Sequence, residues 1–276
     1  MIIATKKETF RILKEHNLIA KKGYGQNFLI NYEVIKTIVE KSMINEDTLV
    51  IEIGPGLGAL TQELVKVSKQ VIAIEIDKKM VEVLNENINV DNLKIINEDF
   101  LKVDLVELIK EYDAFKEVII VSNLPYYITS DILEKIIALK HPKITKIVAM
   151  MQKEVGKKLL KKEDNIESYL KVLIDNYCDV STLMYVSKND FEPRPNVDSM
   201  VLIFELVKDT YKLECDDLKI IKECLNNRRK TLLNTLMFDK VLIQEVLEKL
   251  KIKSTIRIEE LKIKDMLDII KELKKN

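Results

Sequence analysis

The chain has 276 residues, 47% of them hydrophobic, which is enough to bury one large core and a smaller second one. Its 45 Lys and Arg residues balance 45 Asp and Glu, so bulk charge names no partner, although residues 1–22 (six basic, two acidic) and 209–276 (sixteen basic, thirteen acidic) are basic around an acidic middle. Cys178, Cys215 and Cys224 form no CxxC pair, His16 and His141 stand apart, and there is no apolar run of about 18 residues, which argues against a disulfide framework, a metal site and a membrane span.

Lys6, Lys7 and Glu8 interrupt the N-terminus before a secretory core forms, so a reducing, cytoplasmic setting is expected. From there, short β-branched runs alternate with helical spacing. Thr48–Ile53, Gln70–Glu75, Leu93–Asn97, Glu117–Ser122 and Lys146–Met151 read as strands buried on both faces. Helices are predicted around residues 59–67, 78–88, 102–111 and 129–139, and a longer one over 153–176. Two more strands fall near 181–187 and 200–206. The alternation predicts an α/β fold: a Rossmann-like, mostly parallel sheet of seven strands. Beyond residue 208 only amphipathic helices follow, over 216–226, 240–251 and 259–274, so a catalytic domain over 1–208 and a small all-helical domain over 209–276 are expected.

Three features gather at the carboxyl ends of the strands, where open α/β sheets bind ligands. Gly54-Pro55-Gly56-Leu57-Gly58-Ala59 ends the first strand and opens a helix, and its glycines let backbone approach a ligand that a Cβ excludes. Glu75 ends the next strand 21 residues past Gly54, a spacing suited to accepting both ribose hydroxyls. The pair points to a nucleoside-containing cofactor. On these residues alone NAD fits as well, because Gly54, Gly56 and Ala59 satisfy G-x-G-x-x-G/A. Asp99 ends the third strand, and two readings fit it: an acceptor for an adenine amino group, or a helix N-cap.

Asn123-Leu124-Pro125-Tyr126 ends the fourth strand. Methylating an adenine amine requires acceptors for its N–H groups that favour pyramidal nitrogen. The side-chain carbonyl of Asn123 and the backbone carbonyl of Leu124 suit that task, Pro125 fixes the turn without adding a donor, and Tyr126 can stack on a base. No carboxylate base is needed, since the proton becomes acidic once the amine is cationic.

With these segments in order, the chain resembles the KsgA-type adenine dimethyltransferases of small-subunit ribosomal RNA. The resemblance spans nearly the whole chain: Gly25-Gln26-Asn27-Phe28-Leu29, Ile53–Thr61, Glu75-Ile76-Asp77, Glu98-Asp99-Phe100, Asn123–Tyr126, Phe191–Ser199 and Arg228–Asn234. It implies S-adenosylmethionine as methyl donor, with no metal, and transfer to N6 of two adjacent adenines near the 3′ end of 16S rRNA in an immature small subunit, as part of ribosome biogenesis. It also implies a soluble, cytoplasmic, probable monomer. Gln26, Asn27, Leu29, Gly54, Gly56, Glu75, Ile76, Asp99, Phe100 and Asn123 would line the donor pocket. Leu124, Pro125 and Tyr126 would serve the target base beside Asn123, and Phe191 would cover that base opposite Tyr126. Arg228, Arg229 and Lys230, placed by spacing at the head of a helix, and Lys153 and Lys157 with Lys158, Lys161 and Lys162, are candidate phosphate contacts; solvated charge fits them too. One departure stands out: where such enzymes commonly carry a Tyr-Gly loop, this chain has Asp164-Asn165-Ile166-Glu167-Ser168-Tyr169-Leu170.

Three other functions remain compatible with the residues. The related macrolide-resistance methyltransferases act on large-subunit rRNA, an NAD-dependent dehydrogenase shares the glycine turn, and a non-catalytic ribosome-assembly factor would share the RNA surface.

Overall fold

The structure, a computed structural model, describes residues 1–18, 26–161, 165–207 and 209–275. Gly25, Lys162 and Asp164 therefore lie outside the described residues. The strands are β1 (Phe28–Leu29), β2 (Thr48–Ile53), β3 (Gln70–Glu75), β4 (Leu93–Asn97), β5 (Glu117–Asn123), β6 (Ile144–Gln152), β7 (Asp179–Val186), β8 (Phe191–Glu192) and β9 (Ser199–Glu205). The helices are α1 (Lys6–Glu15), α2 (Tyr32–Ser42), α3 (Thr61–Val67), α4 (Lys78–Asn87), α5 (Leu105–Lys110), α6 (Thr129–Leu139), α7 (Lys153–Leu160), α8 (Tyr169–Tyr177), α9 (Cys215–Asn226), α10 (Lys240–Lys249) and α11 (Ile263–Leu273).

Seven strands form one sheet in the order β4-β3-β2-β5-β6-β9-β7, in which β9 alone pairs antiparallel with its neighbours. This is the mostly parallel sheet that the sequence predicts. The order reverses at β2, where β3 lies on one side and β5 on the other, and a crevice opens there at the carboxyl ends. β2 is buried along its whole length, as a strand covered on both faces must be. The expectation of two-sided burial fails for β4 at the sheet edge, where Lys94 and Asn97 are exposed and Leu93, Ile95 and Ile96 only half-buried. A separate two-stranded antiparallel pair joins β1 to β8, with Leu29 opposite Phe191.

Local chemistry explains the helix starts. Asn31 caps α2 by accepting from the backbone N–H of Glu33 at 3.1 Å and of Val34 at 3.4 Å, and Asp77 caps α4 through Lys79 N–H at 3.2 Å.

The chain divides into two compact units: residues 1–160 with 179–206, and residues 161–178 with 207–276. The boundary expected near 208 is thus incomplete, and the single helix expected over 153–176 is two. Ser168 starts α8 by accepting from Lys171 N–H at 3.2 Å, and the polar stretch before it has no apolar spacing. α8 belongs to the helical unit through hydrogen bonds at both ends. Ile166 N–H donates to Leu261 O at 2.9 Å, and Asn176 Nδ2 to Asp209 Oδ1 at 2.9 Å. Leu173, Ile221, Ile243, Leu247, Ile269 and Ile270 make its core.

Candidate active site

The carboxyl ends of β2, β3, β4 and β5 open onto one cleft of about 1170 Å³, part of it continuous with solvent. Its walls bring together Gln26, Asn27, Leu29, Gly54, Gly56, Glu75, Ile76, Asp99, Phe100, Asn123, Leu124, Pro125 and Tyr126, the positions that the sequence nominated from five separate segments.

The glycine turn follows β2 with Gly54 at φ +65° and Gly56 at +56°. A Cβ on Gly56 would stand 3.2 Å from Phe28 Cε1, so side-chain-free backbone faces the cleft here. Gly56 N–H donates to Glu75 Oε2 at 3.1 Å, and Asp77 N–H donates to Oε1 at 2.8 Å. Glu75 is 6% exposed. Burial raises its pKa above the usual carboxylate range, and the two backbone donors oppose that shift. Each oxygen keeps a lone pair for a ribose hydroxyl. Asp77 in turn accepts from Gln26 Nε2 at 3.1 Å, which ties the 26–29 segment to the start of α4.

Asp99 is the N-cap that one of its two readings expects, and it also lines the cleft. Its Oδ1 caps the 3₁₀ turn over Phe100–Lys102 through Leu101 N–H at 3.0 Å, while the residue stands at the cleft wall beside the buried Phe100 ring. Asn123 donates from Nδ2 to the Asn27 carbonyl at 3.4 Å, which leaves its Oδ1 as an acceptor. Leu124 N–H donates to Met150 O at 3.0 Å, and Pro125 O receives Ile128 N–H at 3.2 Å and Thr129 Oγ1 at 3.0 Å, so the turn is held from two sides. The Tyr126 hydroxyl lies 2.6 Å from Ser199 Oγ, and burial raises its pKa.

Phe191 is the clear correction. Expected to cover a base opposite Tyr126, it is 1% exposed and belongs to the core cluster with Leu29, Val186 and Val201. Its strand pairing with Leu29 turns the ring into the core, and it takes no part in the cleft wall. Tyr127, 52% exposed, is an aromatic at the cleft that the sequence did not single out.

Arg228, Arg229 and Lys230 are exposed in the helical unit, but they follow the C-terminal end of α9 rather than heading a helix. Cations there complement the negative helix end, so the dipole argument for phosphate contact falls away. None of the three forms an ion pair among the described residues. Lys153 lies 4.0 Å from Asp198 and 5.5 Å from the centre of the Tyr185 ring, and Lys157 pairs with Glu154 at 3.8 Å.

Glu52 is a cleft residue that the sequence reading covered only as part of the strand Thr48–Ile53. It is 2% exposed, and its Oε2 and the buried Thr61 Oγ1 beside it lack hydrogen-bond partners among the described residues. Burial pushes its pKa up to about 8. The Thr61 hydroxyl is near enough to favour the charged form, but short of hydrogen-bond geometry. A lone acid inside the apolar strand Thr48–Ile53 was the signal in the sequence.

A family model described as "Ribosomal RNA adenine dimethylase" matches residues 17–275. The chain belongs to this family. Two relatives are named "Ribosomal RNA small subunit methyltransferase A". That of Lachnoclostridium phytofermentans is 37% identical over 96% of this chain and 97% of its own, and that of Bacillus pumilus is 38% identical over 99% and 98%. Among solved structures, a dimethyladenosine transferase from Plasmodium falciparum shares the fold at 24% identity with a TM-score of 0.70, covering 90% of this chain and 97% of that one.

As a ribosomal RNA adenine dimethylase, the chain is an S-adenosylmethionine-dependent methyltransferase, and the NAD reading of the glycine turn is set aside. The residues present fit that donor: backbone at Gly56 that a Cβ would crowd, carboxylates at Glu75 and Asp99 with acceptor capacity left over, and orphaned buried polar atoms at Glu52 and Thr61 that a polar, cationic ligand can satisfy. Among the described residues no helix is long and apolar enough to cross a membrane, and no cluster of three potential metal ligands occurs.

Proposed function

We propose that this dimethylase transfers two methyl groups to N6 of each of two adjacent adenines near the 3′ end of small-subunit rRNA, acting on an immature subunit in the cytoplasm as a monomer. The observation that carries the reading is the Asn123–Tyr126 turn on the wall of the same cleft as Gly56, Glu75 and Asp99. The relatives' names supply the small-subunit substrate.

S-adenosylmethionine, when bound, supplies an electrophilic methyl sulfonium. Asn123 Oδ1 and the Leu124 carbonyl accept the two amine N–H groups, drawing nitrogen out of conjugation and aiming its lone pair at the methyl carbon. With the donor bound, these two acceptors would hold the amine through methyl transfer, and the proton of the resulting cationic amine would pass to solvent. A neutral amide suffices because no proton is removed beforehand. For the second transfer one N–H remains, so a single acceptor holds the amine while the cleft admits the first methyl. Tyr126, anchored through Ser199, offers a ring for the extruded base, worth roughly 1–3 kcal/mol. Arg228, Arg229, Lys230, Lys153 and Lys157 supply phosphate contacts that position the RNA without reading its sequence.

The test is methyl transfer to immature small subunits and, in parallel, to large-subunit rRNA, with nucleoside products read by mass. Adjacent dimethyladenosines near the small-subunit 3′ end are expected. Absence of dimethyladenosine, or its appearance in the large-subunit RNA alone, defeats the proposal.

A further inference from the structure

Lys135 stands on α6, outside the cleft wall, yet its ammonium is spent on the turn that carries two cleft residues. Its Nζ donates to three backbone carbonyls: Phe100 O at 2.9 Å, Leu101 O at 2.8 Å and Val103 O at 2.6 Å. It also lies 5.3 Å from the centre of the Phe100 ring. An ammonium has three N–H donors, so this turn uses all of them. Burial lowers the Lys135 pKa and the charges of Asp99 and Asp104 oppose that shift, but neither aspartate forms an ion pair with it among the described residues; it gathers carbonyls instead.

Phe100 O already accepts Val103 N–H at 3.3 Å inside the turn, but a short 3₁₀ turn leaves its later carbonyls to water. Gathered on one nitrogen, they fix the peptide planes of residues 100–103. The fixed planes direct Leu101 N–H at Asp99 Oδ1 and Lys102 N–H at Asp99 O, 3.0 and 2.8 Å away. Asp99 is thereby oriented with one oxygen held and the other left to a ligand, and Phe100 is seated beside it. On the opposite flank Asn97 Nδ2 donates to Glu75 O at 2.8 Å, and Glu98 N–H to the same carbonyl at 3.1 Å. The turn is pinned to the ribose strand on that side and to α6 through Lys135 on this one.

We propose that Lys135 is a positioning residue for the adenine of the methyl donor, setting Asp99 and Phe100 at the cleft wall from behind it. This rests on the assignment of Asp99 to the adenine amino group. A lysine is specifically suited, since the planar guanidinium of arginine spreads its donors and cannot converge three carbonyls on one atom.

The experiment compares calorimetric binding of S-adenosylhomocysteine with that of S-inosylhomocysteine, which carries oxygen in place of the adenine amine. The unaltered protein is expected to prefer the adenosyl ligand about tenfold or more. Asp99→Asn, whose amide can donate to the inosyl oxygen, should erase or invert that preference. Lys135→Met should reduce it to about threefold or less, with the melting temperature of the ligand-free protein near its original value. Lys135→Arg should lower it as well, and carries the test if Lys135→Met does not fold. A preference that Asp99→Asn erases and the Lys135 variants keep, including a uniform weakening of both ligands, overturns the role of Lys135 alone. Equal binding of the two ligands by the unaltered protein overturns the Asp99 assignment and this inference with it.

Discussion

Glu75 accepts the Gly56 N–H through Oε2 at 3.1 Å and the Asp77 N–H through Oε1 at 2.8 Å, so one carboxylate at the end of β3 joins the glycine turn after β2 to the start of α4. Glutamine at 75 keeps only one acceptor oxygen and sets an NH2 against a backbone N–H. Glu75→Gln should weaken S-adenosylhomocysteine binding by about 10- to 100-fold in calorimetry. Because the pKa of Glu75 is raised and ribose hydroxyls need its charged form, affinity of the unaltered protein should fall as pH is lowered through that pKa, a dependence absent in Glu75→Gln.

Gly56→Ala places a Cβ at φ +56° and 3.2 Å from Phe28 Cε1. Left-handed backbone costs a non-glycine residue about 1–2 kcal/mol, to be read as a lower unfolding free energy in urea. Donor affinity should drop further than stability, at least about tenfold, since Phe28 must shift beside the cleft.

Asn123→Ala removes the amine acceptor and its long hydrogen bond to the Asn27 carbonyl, while Gly56, Glu75 and Asp99 stay in place. Turnover should fall about 100-fold or more, as for loss of an oriented acceptor or donor at other reacting centres, with the S-adenosylhomocysteine Kd changed far less. An equal loss in both quantities would assign Asn123 to donor binding alone. Binding to small subunits should survive, which separates catalysis from an assembly role.

Glu52 gives a pH signature. Unfolded, it ionises near 4.5, and folded near 8, so between those values the folded chain holds a proton that the unfolded chain has lost. Stability of the ligand-free protein therefore falls as pH rises from about 4.5 to 8 and levels off above; the full cost is at most roughly 5 kcal/mol. Glu52→Gln stays neutral, so it should exceed the unaltered protein in stability at pH 8.5 and match it near pH 4.5. Urea unfolding at the two pH values checks the sign.

Phe191→Ala should cost about 3–5 kcal/mol of stability as a core truncation, and Phe191→Leu far less. Since Leu29 pairs with Phe191, donor affinity should fall with the alanine and recover with the leucine. Unchanged stability in Phe191→Ala would return the ring to the cleft.

Much of this was legible in the chain because continuous apolar runs and turn chemistry are local signals. Thr48–Ile53, Gln70–Glu75 and Leu93–Asn97 are strands with the limits the sequence predicts, and the residues at their ends meet in the cleft. The edge position of β4 was not legible, since burial depends on a neighbour the strand does not have. α1 announces itself weakly, by Thr5 capping through Glu8 N–H, whereas α2 carries Val34, Ile35, Ile38 and Val39 at helical spacing behind its Asn31 cap and was legible. Phe191 misled because a ring in a Pro-rich segment carries no mark of the face it turns to; its pairing with Leu29, 162 residues earlier, decides that. Lys135 was invisible for a similar reason, since its partners are backbone carbonyls, which no side chain advertises.

The β1–β8 pair also bears on synthesis. Residues 28–29 leave the ribosome well before their pairing partner, which arrives only with residues 191–192. During translation the segment that carries Gln26 and Asn27 must wait, its backbone unmatched, until most of the chain has emerged. A nascent chain stalled before that point would have its glycine turn and the Glu75 carboxylate yet lack the strand partner of the segment that closes one side of the receptacle.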